Sequence, residues 1–170
     1  MKYNVDGSVD RFKARWVGCG YSQKQGIDYD LTFASTLKGT SFRILMALAA
    51  AWNLDIKHID VRAAFTQAQL GENEELYVEQ PHGFCEAGMV CKLRMALEGL
   101  KQSAHLWMVT NAGYLESLGF KRSPHDPCLY VRRREQDVII LGVYVDDIIC
   151  LFSCEKTFME FFDAYSKRFK

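Results

Sequence analysis

The sequence lacks a net charge, a long apolar segment and any paired-cysteine motif. Its 170 residues include 21 Lys and Arg against 21 Asp and Glu, so overall charge argues neither for nor against a nucleic-acid partner. No apolar run approaches the roughly 20 residues that cross a bilayer, and residues 1–7 are polar where a signal peptide needs an apolar core. The six cysteines form no CxxC pair. We therefore expect an intracellular protein of the cytoplasm or nucleus, not secreted and without membrane contact, whose cysteines are small buried hydrophobic residues.

The composition is instead that of one folded domain, because 49% of the residues are hydrophobic and 13% are aromatic. Turn signals and apolar periodicity predict the following elements in chain order. Strands are expected at 11–19, 54–60, 76–79, 90–94, 128–134 and 138–145, and a last strand follows the acidic residues 146–147 and ends at 152. Helices are expected at 42–52, 61–70 and 103–118 and around the aromatic stripe from Phe158 to Phe169. This order resembles a split βαβ, ferredoxin-like antiparallel sheet, so we expect an α+β fold with helices packed on one face.

Two adjacent aspartates, Asp146 and Asp147, interrupt the most hydrophobic stretch of the chain, residues 138–152. Both flanks are rich in β-branched and aromatic residues, which predicts two buried strands with the acidic pair at their hairpin turn. Two like charges at the rim of an apolar sheet repel unless a cation lies between them. Oxygen ligands favour Mg²⁺ or Mn²⁺ over zinc. Taken alone, the motif is about twice as often a solvated acidic turn as a metal site.

A third aspartate, Asp60, ends the strand predicted at 54–60. If that strand lies beside the acidic hairpin, three carboxylates approach one point. Such an arrangement suits two-metal phosphoryl or nucleotidyl transfer, in which cations stabilise the attacking and leaving oxygens.

Six segments of the chain carry a family resemblance. They are FKARWVGCGYSQ at 12–23, GIDYD at 26–30, IDVRAAF at 59–65, LYVEQPHGF at 76–84, GLKQS at 99–103 and YVDD at 144–147. Their order and spacing resemble those of the Ty1/copia-type retrotransposon reverse transcriptase, over nearly the whole chain. The resemblance implies an RNA-dependent DNA polymerase domain of a Pol polyprotein. Its reaction is attack by a primer 3′-hydroxyl on a deoxynucleoside triphosphate, on an RNA or DNA template.

The resemblance also implies a domain layout. It makes 1–170 a single polymerase domain, fingers-like at 1–53 and 66–105 and palm-like at 54–65 and 106–170. Since the thumb of the family is absent, we expect a domain truncated at its C-terminus. Other Pol segments (thumb, RNase H, integrase) are then candidate partners, beside template–primer and dNTP.

The catalytic and metal-binding residues implied by the resemblance are Asp60, Asp146 and Asp147. The backbone carbonyl of Val61 is implied as a further metal ligand, with Mg²⁺ as the cofactor and Mn²⁺ as the substitute. Tyr144 and Val145 complete the hairpin and support it.

The nucleotide-binding residues implied by the resemblance lie in other segments. Phe65 resembles the aromatic that lies under the sugar and excludes a 2′-hydroxyl; a helix burying a Phe is the simpler alternative. Lys13 and Arg15 resemble cations that grip triphosphate oxygens, a task that suits the planar guanidinium, although isolated charges also form solvated faces. Gln102 resembles a residue that contacts the nucleotide and template backbone, with helix-start polarity as its alternative.

The sequence departs from the family at several positions. Glu98 replaces an aromatic residue, which places a negative charge beside the expected template path, and Ala104 replaces a proline. Two functions from different classes therefore stay open: an active nucleotidyltransferase, or a catalytically inactive retroelement remnant with at most weak nucleic-acid binding. A nucleotide cyclase-like palm is a third, against which the fingers motifs argue.

Overall fold

The computed structural model describes residues 1–71 and 74–169. Glu72 and Asn73, within the predicted fingers-like range, and Lys170, which ends the predicted palm-like range, lie outside the described residues. The described part forms a five-stranded antiparallel sheet, three α-helices and two small two-stranded sheets. The strands are β1 (Lys2–Tyr3), β2 (Val9–Arg11), β3 (Asp55–Asp60), β4 (Tyr77–Val78), β5 (Cys91–Lys92), β6 (Lys121–Arg122), β7 (Leu129–Arg134), β8 (Asp137–Tyr144) and β9 (Asp147–Phe152). The helices are α1 (Gly39–Ala51), α2 (Ser103–Ser117) and α3 (Glu155–Arg168), with 3₁₀ turns at Gly20–Ser22 and Ala64–Gln67.

The main sheet has the strand order β3-β9-β8-β7-β6 with every neighbour antiparallel. Because β3 and β8 are both antiparallel to β9, they run parallel to each other with β9 between them, as in a split βαβ unit. The α+β class is therefore confirmed, and the end of β3 lies beside the β8–β9 hairpin.

Helices cover both faces of this sheet, so the expectation of helices on one face is wrong. Ile139 and Leu141 of β8 belong to the core beneath α2 and α3, whereas Ile140 packs with Leu45 of α1 on the opposite face. Successive residues of β8 are apolar because the strand is buried on both sides. Gly142 allows α1 to approach, since a Cβ there would lie 2.7 Å from a methyl carbon of Leu45.

The aromatic stripe of α3 is core packing, as predicted. Phe158, Phe161, Tyr165 and Phe169 are all buried. The Phe158 ring stacks on Phe152 of β9 with centroids 4.4 Å apart. This packing fixes α3 on the sheet and, through contact of Phe169 with Trp107, on α2.

Two predicted elements differ from the structure. The strand expected at 11–19 ends at Arg11, and the segment from 12 to 19 has no strand partner. The helix expected at 61–70 is only the 3₁₀ turn at Ala64–Gln67. Ala63, at φ +48°, has left-handed backbone that a continuous α-helix cannot contain.

The expectation of buried cysteines holds for two of the six. Burial raises the pKa of Cys128 to about 11 and that of Cys150 to about 12. Cys19 and Cys85 are exposed, which contradicts the expectation for them. No helix in residues 1–71 and 74–169 is long and apolar enough to cross a membrane.

Candidate active site

The acidic hairpin has a two-residue turn, Val145 and Asp146, closed by the pairing of Tyr144 with Asp147. Val145 has φ +57°, a left-handed conformation that is uncommon for a β-branched residue and costs on the order of 1–3 kcal/mol. Core contacts hold the turn: the indole N–H of Trp107 donates to the Val145 carbonyl at 2.7 Å. The tip is therefore fixed from beneath by α2.

The third aspartate lies directly beside this tip. Asp60 is the register partner of Asp147, and the amide of Val61 donates to the Asp146 carbonyl at 2.9 Å. Side chains directly opposite in an antiparallel pair have Cβ atoms about 4.5–5.5 Å apart. All three aspartates are exposed. The structure thus places Asp60 in register with Asp147 and beside the turn that contains Asp146, although 86 positions separate Asp60 from Asp146 in the sequence.

One of these carboxylates already has a protein partner. The Nε2 atom of His58 lies 2.8 Å from Oδ1 of Asp147, and both side chains are exposed. His58 precedes Asp60 by two positions on β3, so the two share a face of the sheet. The sequence analysis did not identify His58 as a site residue. Its spacing of two positions from Asp60 on a predicted strand was the pattern that could have indicated it.

The predicted ligands have the donor atoms that a hard divalent cation prefers, but their side chains are not already arranged around a metal position. The donor set of Asp60, Asp146, Asp147 and the Val61 carbonyl contains only oxygen, which suits Mg²⁺. The part of the chain described, 1–71 and 74–169, contains no group of three His, Cys, Asp or Glu side chains placed to hold a metal ion. Two negative charges in register nevertheless favour a cation between them.

A cleft of about 340 Å³ opens beside the hairpin tip. Its lining includes Asp146, Phe65, Lys13 and Arg15. Half-buried Phe65 packs against the main core and also lines the cleft, so both of its alternative roles remain compatible with its position. With Val145, which also lines it, the cleft brings five of the predicted site residues together around one space.

Glu98 lines the same cleft and forms an ion pair with Arg15, with Nη1 and Oε1 2.5 Å apart. The two segments meet backbone to backbone, because the Gly18 amide donates to the Glu98 carbonyl at 2.7 Å. A Cβ on Gly99 would overlap the Gly18 carbonyl, so a side chain there would separate the segments. The sequence identified Glu98 as a departure but missed its partner.

Gln102 lies away from the cleft lining and is 2% exposed. Its Nε2 donates to the Asp28 carbonyl at 3.0 Å, and its Oε1 accepts from Gln23 at 3.1 Å. These bonds tie the start of α2 to the 23–28 loop. Gln102, which was predicted to contact the nucleotide, is not among the residues that line the cleft.

Comparison with known proteins gives a consistent set of relatives. A family model described as reverse transcriptase (RNA-dependent DNA polymerase) matches residues 1–170. The chain is 40% identical to the Retrovirus-related Pol polyprotein from transposon RE1 of Arabidopsis thaliana, over 99% of this chain and 12% of that protein. It is 41% identical to the Retrovirus-related Pol polyprotein from transposon TNT 1-94 of Nicotiana tabacum, over 88% of this chain and 11% of that protein. It is 29% identical to the Transposon Ty1-MR1 Gag-Pol polyprotein of Saccharomyces cerevisiae, over 83% of this chain and 8% of that protein. No solved structure matches.

Proposed function

The chain belongs to the reverse transcriptase (RNA-dependent DNA polymerase) family of copia/Ty1-type Pol polyproteins, and from this premise we propose that it adds deoxynucleotides to a primer 3′-hydroxyl on an RNA or DNA template. The chain spans only 12% of the length of the RE1 relative, so the activity is proposed for this segment on the basis of its own residues. The observation that carries the proposal is the register pair Asp60 and Asp147, beside a hairpin tip whose Asp146 opens onto a cleft with cations.

We assign the palm-like part to 54–65 and 106–170 and the fingers-like part to 1–53 and 66–105. The main sheet, α2 and α3 form the compact support of the acidic tip. The segment carrying Lys13 and Arg15 lines the same cleft as that tip. This placement supports a division into one part that holds the carboxylates and one that covers the nucleotide.

Asp60, Asp146, Asp147 and the Val61 carbonyl would hold Mg²⁺, or Mn²⁺ in its place. When bound, such cations lower the pKa of the attacking hydroxyl and stabilise charge on the phosphate oxygens. Asp146 follows Val145, whose carbonyl the indole of Trp107 holds, so the backbone that carries this carboxylate is held in place before substrate arrives.

The cleft residues would bind the nucleotide itself. Lys13 and Arg15 would neutralise triphosphate oxygens, with Arg15 suited to a bidentate contact. Phe65 would leave no room for a ribose 2′-hydroxyl. Base pairing selects the nucleotide, so the protein contacts would be to backbone and shape.

Primer extension tests the proposal. The wild-type chain, Asp146→Ala and Asp55→Asn should be compared on an RNA template with Mg²⁺ and with Mn²⁺. Asp55 is exposed at the other end of β3 and faces Phe152, so its variant removes a charge without touching the tip. We expect extension by wild type and Asp55→Asn and none by Asp146→Ala.

The alternative is an inactive retroelement remnant that binds nucleic acid weakly. It would be supported by a folded wild-type chain that retains a template–primer but never extends it, even with the downstream segment of a Pol polyprotein added. Extension restored only by that segment would identify it as a partner.

A further inference from the structure

The ion pair between Arg15 and Glu98 lies inside the proposed nucleotide cleft. Glu98 there binds the Arg15 guanidinium, which is one of the two cations proposed to bind the nucleotide. Arg15 and Glu98 both line the cleft, with 54% and 41% of their side chains exposed. Lys13 lines the same cleft and, within the described residues, has no carboxylate at ion-pairing distance. The two cations therefore differ: one is available to an incoming anion and the other is engaged.

We propose that Glu98 competes with nucleotide phosphates for Arg15, so that a polyphosphate enters the cleft by displacing this carboxylate. The inference rests on the proposed function, since it concerns how the same cleft admits its substrate. It makes Glu98 a residue that sets nucleotide affinity without contacting the reacting atoms.

The position of Glu98 is set by backbone contacts rather than by the ion pair. The Gly18–Glu98 backbone hydrogen bond and the close approach of Gly99 to Gly18 hold the two segments together. Glu98 therefore stays beside the cleft after Arg15 has turned away, and the pair can re-form when the anion leaves. The exchange is reversible and local.

The pair is weak enough to be displaced. Exposed ion pairs change an equilibrium constant by at most about fivefold, because water and ions screen them. A triphosphate offers several charged oxygens in the geometry that a guanidinium binds in bidentate fashion. Lys13 adds a second attraction for the polyphosphate that the Glu98 carboxylate lacks. Polyphosphate should therefore displace the Glu98 carboxylate from Arg15. Breaking the ion pair should weaken its observed binding.

The test uses inorganic tripolyphosphate without metal as the probe, titrated calorimetrically into the full chain. The variants are Glu98→Gln, Arg15→Gln, the double variant and Glu155→Gln. Glu155, the first residue of α3, pairs with Lys57 of β3 at 2.5 Å, so its variant removes an equal charge from another exposed pair. Thermal melting of each variant verifies that it folds.

Glu98→Gln should bind the probe roughly three- to tenfold more tightly, since the ion-pair competition and a nearby like charge are both removed. Arg15→Gln should bind more weakly, and Glu155→Gln should match wild type. In the Arg15→Gln background the Glu98→Gln change should tighten binding by a clearly smaller factor, because only the nearby like charge is removed there.

Equal tightening in the Arg15→Gln background would show general repulsion instead of competition and would overturn the inference. So would unchanged affinity in Glu98→Gln, or no binding of the probe by any variant. Primer extension by the wild-type chain judges the proposed function separately. If extension occurs, Glu98→Gln should lower the KM for dNTP and leave kcat unchanged.

Discussion

Substituting Asp60 by Asn should stabilise the protein without cation and remove its response to cation. Asp60 and Asp147 are directly opposite in the β3–β9 register, and like charges so placed are destabilising by roughly 0.2–1 kcal/mol. His58, 2.8 Å from Asp147, offsets part of this repulsion, which places the expected gain in the lower half of that range. For a chain of this length 1 kcal/mol moves Tm by about 2–4 °C, so Asp60→Asn should melt roughly 1–2 °C higher in EDTA.

The same variant should then lose stabilisation by Mg²⁺. A cation that binds only the folded state adds about 2.7 kcal/mol at a hundred times its Kd, so wild-type Tm should rise with Mg²⁺ concentration. Asp55→Asn, on the same strand but opposite Phe152, is the matched control and should behave as wild type in both measurements. Asp60→Asn that melts below wild type in EDTA, or that keeps the full Mg²⁺ response, would refute the reasoning.

Three further predictions concern the fold. Gly142→Ala should lower the free energy of unfolding by about 1–3 kcal/mol in urea titration, because its Cβ would meet α1 at 2.7 Å, whereas Gly113→Ala, with open space in α2, should raise it. Burial tends to raise the pKa of Asp126, but hydrogen bonds to its carboxylate outweigh this and lower the pKa below its ordinary value. The resulting stability is present above the unfolded pKa and lost as pH falls through the folded one, so Asp126→Asn should flatten the acid side of a Tm–pH profile. Exposed Cys19 should react with a thiol reagent in the native protein, and Cys128, whose pKa burial raises to about 11, only after unfolding.

The sequence predicted the elements whose pattern is local. The apolar run at 138–152 predicted two strands joined by an acidic turn, and the alternation at 54–60 predicted the strand that carries Asp60. The hairpin and the strand are both confirmed. Their adjacency followed from the fold-level order of elements, which the sheet bears out.

What the sequence could not predict depends on distant partners. A run in which Ile139 and Ile140 are both apolar does not tell which face a helix covers, and the prediction of helices on one face is therefore wrong for α1. The left-handed backbone of Ala63 follows from how the chain leaves β3, since alanine itself favours helix. The pairing of Arg15 with Glu98 joins positions 83 residues apart, and no local signal announces it.

The bond from the Trp107 indole to the Val145 carbonyl ties the backbone of the acidic turn to the interior of the protein. Trp107 is 1% exposed and shares its contacts with Phe169 at the end of α3. Under the proposed function, substitutions at this ring should therefore alter turnover as well as folding. A buried residue that does not contact the substrate would then influence the proposed catalytic rate, and a search confined to the surface of the cleft would overlook it.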